Sequence, residues 1–219
     1  MKSIASYQTI VFDCDGVVLH SNFAKIDAYR EIALQFGANP EQAEQLVQHH
    51  IRLGGISRYP KFEYFLREIM QTPITQEKMQ CLLDGFTQLV REKLKHCQVS
   101  PHLAALRQAS TNAKWMMISG GDQQELRDVM QLRDLQKYFD AGIFGSPDNK
   151  QAILSREIAN GCLVKPALFI GDSHYDYFSA HAAQLDFVFL HAWTDVEDWQ
   201  AFCQEHQIEV MADLGELIN

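Results

Sequence analysis

The sequence is poor in features that would place the protein outside the cell or in a membrane. Its five cysteines are scattered over 219 residues without a C-x-x-C spacing, so it predicts neither a disulfide framework nor a zinc site. No uninterrupted apolar run approaches the roughly 20 residues of a membrane-spanning helix, and the first residues contain no apolar region typical of a signal peptide. We therefore expect a soluble, cytoplasmic protein with reduced thiols and no membrane partner.

Positive charge is also scarce. The chain has 19 lysines and arginines against 28 aspartates and glutamates, a formal charge of -9, and the basic residues form no run. Because nucleic-acid-binding surfaces need a basic stripe, we expect no nucleic-acid partner. A chain of this length can bury a substantial core as one α/β domain or as a core with an insertion. The sequence does not predict an oligomeric state.

An acidic pair follows the first apolar run of the chain. Residues 10–12 lead directly to Asp13 and Asp15, and Gly16 allows a sharp turn after them. Residues two apart in a strand share a face, so both carboxylates can point into one site. Two close anions raise one another's pKa unless a cation or a shared proton neutralises them, which indicates a metal or acid–base role. Taken alone, the segment 13–16 is equally compatible with a turn that caps a strand.

The hydrophobic periodicity divides the rest of the chain into two parts. From Asn22 to about Cys97, apolar residues recur every three or four positions and predict four amphipathic helices that form a bundle. A helix is predicted to begin at Ser100, with Ser100 as N-cap and Pro101 at the first helical position. From there, short apolar strands alternate with helices, which predicts a parallel sheet with helices on both faces. The predicted strands are 9–13, 114–119, 142–145, 167–171 and 187–190. The helical bundle is then an insertion into this α/β fold.

Polar residues follow the predicted strands, at the sheet edge where parallel α/β proteins bind ligands. The second strand ends in Ser119 and Gly120, Lys150 follows the third, and Asp172 and Asp176 follow the fourth. Each has a local explanation: a tight turn, a surface lysine, or acids that favour a helix start. Their joint occurrence, each just past a strand, favours one common site.

As a set, these residues resemble the motifs of the haloacid dehalogenase superfamily, in its magnesium-dependent phosphotransferase branch. The matching segments are Asp13-Cys14-Asp15-Gly16-Val17, Ser119-Gly120, Lys150 and Gly171-Asp172-x-x-x-Asp176. The helical insertion resembles the type-one cap of the phosphoglycolate phosphatase and β-phosphoglucomutase group. The resemblance implies a Rossmann-like core over residues 1–20 and 98–219 and a mobile helical cap over residues 21–97.

The resemblance also implies a reaction. Asp13 would attack phosphorus and become an aspartyl phosphate, while Asp15 would protonate the leaving oxygen and later deprotonate water. The implied function is a phosphatase for a small phosphorylated metabolite such as a sugar phosphate. A phosphomutase of the β-phosphoglucomutase type would use the same core residues, and a non-catalytic binding module is a third alternative that the intact motif set disfavours. The halide-removing members lack the second aspartate, so Asp15 argues against dehalogenation.

The resemblance further implies ligands for the substrate and for Mg2+. The implied metal-binding residues are Asp13, Asp15 through its carbonyl, Asp172 and Asp176. The implied phosphoryl-binding residues are Ser119, Gly120 and Lys150.

Substrate specificity is expected to depend on the cap. The segment 54–58 resembles a Gly-x-Ser-Arg specificity loop, and by this resemblance Arg58 binds a substrate phosphate or carboxylate. A turn with a solvated arginine is the alternative. Phosphonate-cleaving members use a cap lysine, for which the sequence offers no clear match. The sequence predicts no role for His20, Lys25, His49, His50 or His174.

Overall fold

A computed structural model describes residues 2–218, so Met1 and Asn219, the outer ends of the two predicted core segments, lie outside the described residues. The strands are β1 (Thr9–Phe12), β2 (Lys114–Asp122), β3 (Ile143–Ser146), β4 (Ala167–Gly171), β5 (Asp186–Leu190) and β6 (Glu209–Met211). They form one parallel sheet in the order β3-β2-β1-β4-β5-β6. The chain therefore changes direction across the sheet between β1 and β4, which is where open α/β sheets bind ligands.

The five predicted strands are confirmed, with small shifts at their ends. The largest shift is in β2, which continues three residues beyond Ser119 to Asp122. The sequence analysis missed β6, because three partly exposed residues at the sheet edge carry no alternating apolar pattern.

The four predicted helices of the insertion are also present. The α-helices are α1 (Asn22–Gln35), α2 (Pro40–Arg52), α3 (Arg58–Tyr64), α4 (Gln76–Leu94), α5 (Leu103–Ala109), α6 (Gln123–Leu132), α7 (Lys150–Ala159), α8 (His174–Ala182) and α9 (Trp199–Glu205). A π-helical turn, Phe65–Ile69, continues α3.

The prediction of a helix start at Ser100 is wrong. The helix begins at Leu103, with His102 at the N-cap position. The Ser100 N–H donates to the carbonyl oxygen of Val18 at 2.9 Å, while the Ser100 hydroxyl, which would have to cap the helix, is buried without a hydrogen-bond partner among the described residues.

Helices cover both faces of the sheet, as the alternation of strands and helices predicts. On one face, Val11 belongs to an apolar cluster with Ile153 of α7 and Ala180 of α8. On the other face, Phe12 packs against Trp115 with ring centroids 4.4 Å apart, in a cluster that includes Leu126 of α6. This arrangement confirms the predicted α/β fold class with a Rossmann-like core.

The insertion is connected to the sheet by two chain segments that run side by side. The His20 N–H donates to the carbonyl oxygen of Gln98 at 2.9 Å, next to the Ser100–Val18 bond. Such a paired connection can act as a hinge for the inserted helices. The division of the chain at residues 20 and 98 stays a prediction, as does the cytoplasmic location. No helix within residues 2–218 is long and apolar enough to cross a membrane.

Candidate active site

Three buried carboxylates meet where the strand order reverses. Asp13 directly follows β1, Asp172 directly follows β4, and Asp176 lies in the first turn of α8. One carboxylate oxygen of each lies within 4.8 Å of those of the other two. Burial and the charges of Asp13 and Asp176 raise the pKa of Asp172 well above its usual range. Because oxygen donors suit a hard divalent cation, and a cation would offset this repulsion, the donor set fits Mg2+.

Gly16 allows the loop that carries Asp13 and Asp15 to approach Asp172. Its φ of +75° is a conformation that residues with a side chain rarely adopt. A Cβ at this position would lie 1.9 Å from Oδ2 of Asp172. Glycine is therefore required here both for the turn and for the close contact.

Lys150 is the first residue of α7, and its ammonium group lies inside the acidic cluster. Its Nζ is 2.7 Å from Oδ1 of Asp13 and 2.5 Å from Oδ1 of Asp176. The side chain is 1% exposed, so the interpretation as a surface lysine is wrong. Burial raises the pKa of Asp13 to about 7, although the Lys150 ammonium opposes this shift. The two carboxylates in turn raise the pKa of Lys150, against the effect of burial.

Asp176 contacts both the first residues of α8 and the active site. Its Oδ2 accepts a hydrogen bond from Oγ of Ser173 at 2.7 Å, as part of a capping box that begins α8. Its other oxygen faces Lys150. The helix-start explanation for this acid is therefore correct but incomplete.

Asp15 lies beside Asp13 and is held by the cap. Its carboxylate accepts hydrogen bonds from Oγ of Ser21 at 2.5 Å and from Nζ of Lys25. Although burial acts to raise the pKa of Asp15, the Lys25 ammonium and the Ser21 hydroxyl hold it below its usual value. The Ser119 hydroxyl is 3.5 Å away and accepts a hydrogen bond from the Gly121 N–H. The structure thus places Lys25, for which the sequence predicts no role, in the site.

The cap is closed over the acidic cluster. A Cβ on Gly120 would lie 2.4 Å from the carbonyl oxygen of Gly55 in the cap loop, so the two backbones are in close contact. The cavity between cap and core has a volume of about 40 Å³. This is room for about three water molecules, too little for a phosphorylated metabolite. A substrate can enter only when the cap moves away from the core.

Arg58 lines this cavity, but its guanidinium is bound to a carboxylate of the core. Its guanidinium donates two hydrogen bonds to Glu125 of α6, at 2.8 and 3.1 Å, and one to Thr87 of α4 at 2.8 Å. It also lies over the Phe86 ring, 4.7 Å from the centroid. The arginine is buried, so the alternative of a solvated turn is wrong; its substrate-binding role stays a prediction.

Further polar residues at the site were not predicted from the sequence, among them Asn22, His50, Lys61, Glu125 and Asp195. Glu125 lies in the first turn of α6, where its N–H donates to the Asp122 carboxylate at 2.9 Å. A signal existed for His50, which occupies the buried stripe of α2 where an apolar residue is expected. Three other histidines lie against aromatic rings outside the cavity. His20 stacks on Trp193 and His49 on Tyr64, whereas His174 lies tilted by 36° against Phe202.

The fold is shared with solved structures of low sequence identity. CbbY from Rhodobacter sphaeroides, solved in complex with phosphate, superposes with a TM-score of 0.72 at 15% identity and covers 96% of each chain. A phosphonoacetaldehyde hydrolase-like protein from Oleispira antarctica has a TM-score of 0.72 at 15% identity, covering 99% of this chain and 92% of that one. A "predicted phosphoglycolate phosphatase" from Haemophilus somnus has a TM-score of 0.65 at 18% identity, covering 84% and 85%. These likenesses describe the fold.

The sequence itself identifies the family. No curated protein sequence matches this chain. The family model of the haloacid dehalogenase-like hydrolases matches residues 7–184, which include every core motif residue named above. The chain is therefore an enzyme of the haloacid dehalogenase-like hydrolase family, as its motifs predict.

Proposed function

We propose that this hydrolase is a magnesium-dependent phosphatase that cleaves a small phosphorylated metabolite through an aspartyl phosphate on Asp13. The observation that carries the proposal is the contact of Asp13 with the buried ammonium of Lys150, next to Asp172 and Asp176. In this arrangement a carboxylate nucleophile lies next to an ammonium group that can neutralise an incoming phosphoryl group, and to two carboxylates that can bind a cation.

The reaction requires two displacements at phosphorus. In the first, a carboxylate oxygen of Asp13 bonds to phosphorus, the ester P–O bond breaks, and Asp15 gives a proton to the leaving oxygen. In the second, Asp15 takes a proton from water, whose oxygen attacks phosphorus and releases Asp13 and inorganic phosphate. Ser21 and Lys25 orient Asp15, and the Lys25 contact favours its ionised form, which the second step uses.

The remaining core residues would bind the transferring group. Lys150 and Ser119 can donate to the phosphoryl oxygens, on which negative charge is concentrated in the transition state. Asp13, Asp172 and Asp176 would hold Mg2+, with the Asp15 carbonyl as a further ligand implied by the family resemblance. Bound Mg2+ would offset the charge of the carboxylates and of the phosphoryl group.

Release of inorganic phosphate tests this proposal. The purified protein is incubated with p-nitrophenyl phosphate and with a panel of sugar phosphates and phosphorylated acids, in Mg2+ and in EDTA. We expect one phosphate per ester cleaved, and only in Mg2+. An isomerised sugar phosphate without net phosphate release would instead identify a phosphomutase. Ligand binding without turnover of any ester would identify a binding module.

A further inference from the structure

Two of the cap-side cations in the active-site cavity are paired with acids. Lys25 contacts Asp15, and Arg58 contacts Glu125. Lys61 of α3 also lines the cavity and is 1% exposed, yet it forms no ion pair with any carboxylate of residues 2–218. A buried ammonium group without a counter-charge is costly, so its presence in a cavity needs a reason.

The hydrogen-bond partner of Lys61 is a histidine. Its Nζ lies 2.8 Å from Nδ1 of His50 and 5.6 Å from the centroid of the Tyr29 ring. Burial and the nearby charge of Lys25 lower the pKa of Lys61 to about 7, and the carboxylates of Asp195 and Asp15, which form no ion pair with it, only partly oppose this shift. Asp195 lines the same cavity without forming an ion pair with Lys61 and acts on it only at longer range.

His50 leaves a second hydrogen-bonding position unused. The side chain is 7% exposed, and burial together with the Lys61 charge lowers its pKa well below the usual value, so the ring is neutral. When Nδ1 accepts the Lys61 proton, the ring proton resides on Nε2. This Nε2 is buried and has no hydrogen-bond partner among the described residues. The pair therefore combines unused N–H donors with an unbalanced positive charge.

We propose that Lys61 and His50 bind an anionic group, either a carboxylate or a second phosphate, at the non-reacting end of the substrate. The inference rests on the proposed phosphatase function and narrows its substrates to phosphomonoesters that carry a second acidic group. An anion supplies both the counter-charge for Lys61 and the oxygen acceptors that the pair lacks. A neutral hydroxyl accepts a hydrogen bond but leaves the charge unbalanced.

Matched substrate pairs test this proposal. For a carboxylate, 3-phosphoglycerate is compared with glycerol 3-phosphate, and 2-phosphoglycolate with 2-hydroxyethyl phosphate. For a second phosphate, glucose 1,6-bisphosphate is compared with glucose 1-phosphate. We expect kcat/KM for the acidic member to exceed that for its neutral partner by roughly 10- to 100-fold in one of the two arms. The arm that shows this preference identifies the anion.

The variants Lys61→Met and His50→Gln then test whether these two residues cause the preference for the acidic substrate. Lys61→Met keeps the length of the side chain and removes the charge, so kcat/KM for the acidic substrate divided by that for the neutral one should fall to about one. In His50→Gln this ratio should fall by less. Lys93→Met, a cap lysine outside the cavity, should keep the wild-type ratio. A wild-type ratio near one in both arms, or a ratio that survives Lys61→Met, would overturn the proposal. The proposal would also be overturned if borohydride trapped an imine formed between Lys61 and a carbonyl substrate.

A binding measurement separates this inference from the proposed function. If no ester, including p-nitrophenyl phosphate, releases phosphate, the phosphatase proposal fails. The same pairs are then compared by the shift they produce in the melting temperature. A larger shift with the acidic members, lost in Lys61→Met, would support the anion site independently. Equal shifts in both proteins would reject it.

Discussion

Arg58 of the cap and Glu125 of the core form a two-point ion pair, with N–O distances of 2.8 and 3.1 Å. Their side chains are 3% and 1% exposed, so the pair is buried at the boundary between α3 and α6. Breaking a buried pair leaves an uncompensated charge. This contact therefore stabilises the closed position of the cap, in which the cavity is small.

Glu125→Gln should weaken closure, because it keeps the shape of the side chain and removes the charge that balances Arg58. A hydrogen bond to a charged group contributes about 1.5–3 kcal/mol, so we expect kcat/KM to fall roughly 10- to 100-fold for all phosphate esters alike. Faster amide hydrogen exchange in α3 should accompany the loss. Glu92→Gln, which removes an exposed acid paired with Lys95, is the control and should change neither quantity.

Arg58→Ala decides whether Arg58 also binds substrate. If the sequence-based expectation is correct, KM rises more for the physiological ester than for p-nitrophenyl phosphate, because an aryl ester offers the arginine nothing to bind. Equal losses on both esters, matching those of Glu125→Gln, would limit the role of Arg58 to closing the cap.

Asp13→Asn should abolish turnover, since the amide cannot form the aspartyl phosphate. We expect kcat to fall by at least about a thousandfold while the circular dichroism spectrum stays that of a folded protein. Asp84→Asn, at an exposed position of α4, should keep full activity. Substantial activity in Asp13→Asn would place the nucleophile elsewhere.

Metal dependence can be measured without catalysis. A cation that binds the folded protein raises its melting temperature in proportion to the logarithm of its concentration above the dissociation constant. We expect Mg2+ to stabilise the wild-type protein and to have little effect on Asp172→Asn, which lacks one of the three clustered carboxylates. Identical Mg2+ responses in the two proteins would contradict the assignment of Asp172 as a ligand.

Lys61 should make stability depend on pH in a defined window. Its pKa is about 7 in the folded chain and 10.5 when unperturbed, so between these values the unfolded chain binds the extra proton. The free energy of unfolding then rises with pH across this window. Lys61→Met removes the titration. The free energy of unfolding of the wild type, relative to that of Lys61→Met, should rise from pH 7 to about pH 10 and should not change below pH 7. A relative value that is the same at every pH would contradict the lowered pKa.

The core motifs could be recognised because each lies at or just past the end of an apolar run. Asp13, Ser119 and Asp172 come directly after apolar runs, and parallel strands bring their carboxyl ends to one edge. The strand β6 and the start of α5 were not readable for local reasons. The first is short and partly exposed, and the Ser100 hydroxyl, predicted as the cap of the second, bonds to no described group.

The partners within the cap could not be derived in the same way. Lys61 of the cap and Glu125, the core residue that pairs with Arg58, have ordinary sequence surroundings, and only the structure shows that they are buried. Lys25 likewise was as compatible with the surface as with its contact to Asp15. The separations along the chain are 10 residues for Asp15 and Lys25, 11 for His50 and Lys61, and 67 for Arg58 and Glu125. These contacts join side chains of different segments, and no period or motif specifies them.

The alternation of strands and helices, the acidic residues at the strand ends and the family to which they belong can all be predicted from the amino-acid sequence. These features depend on local periodicity and on short motifs, which a single chain displays directly. The pairing of the cations, the small volume of the cavity under the cap and the fact that Lys61 forms no ion pair within residues 2–218 could be learned only from the packed structure. Those properties depend on distance and burial, and both arise when α1, α3 and the sheet edge pack around one cavity.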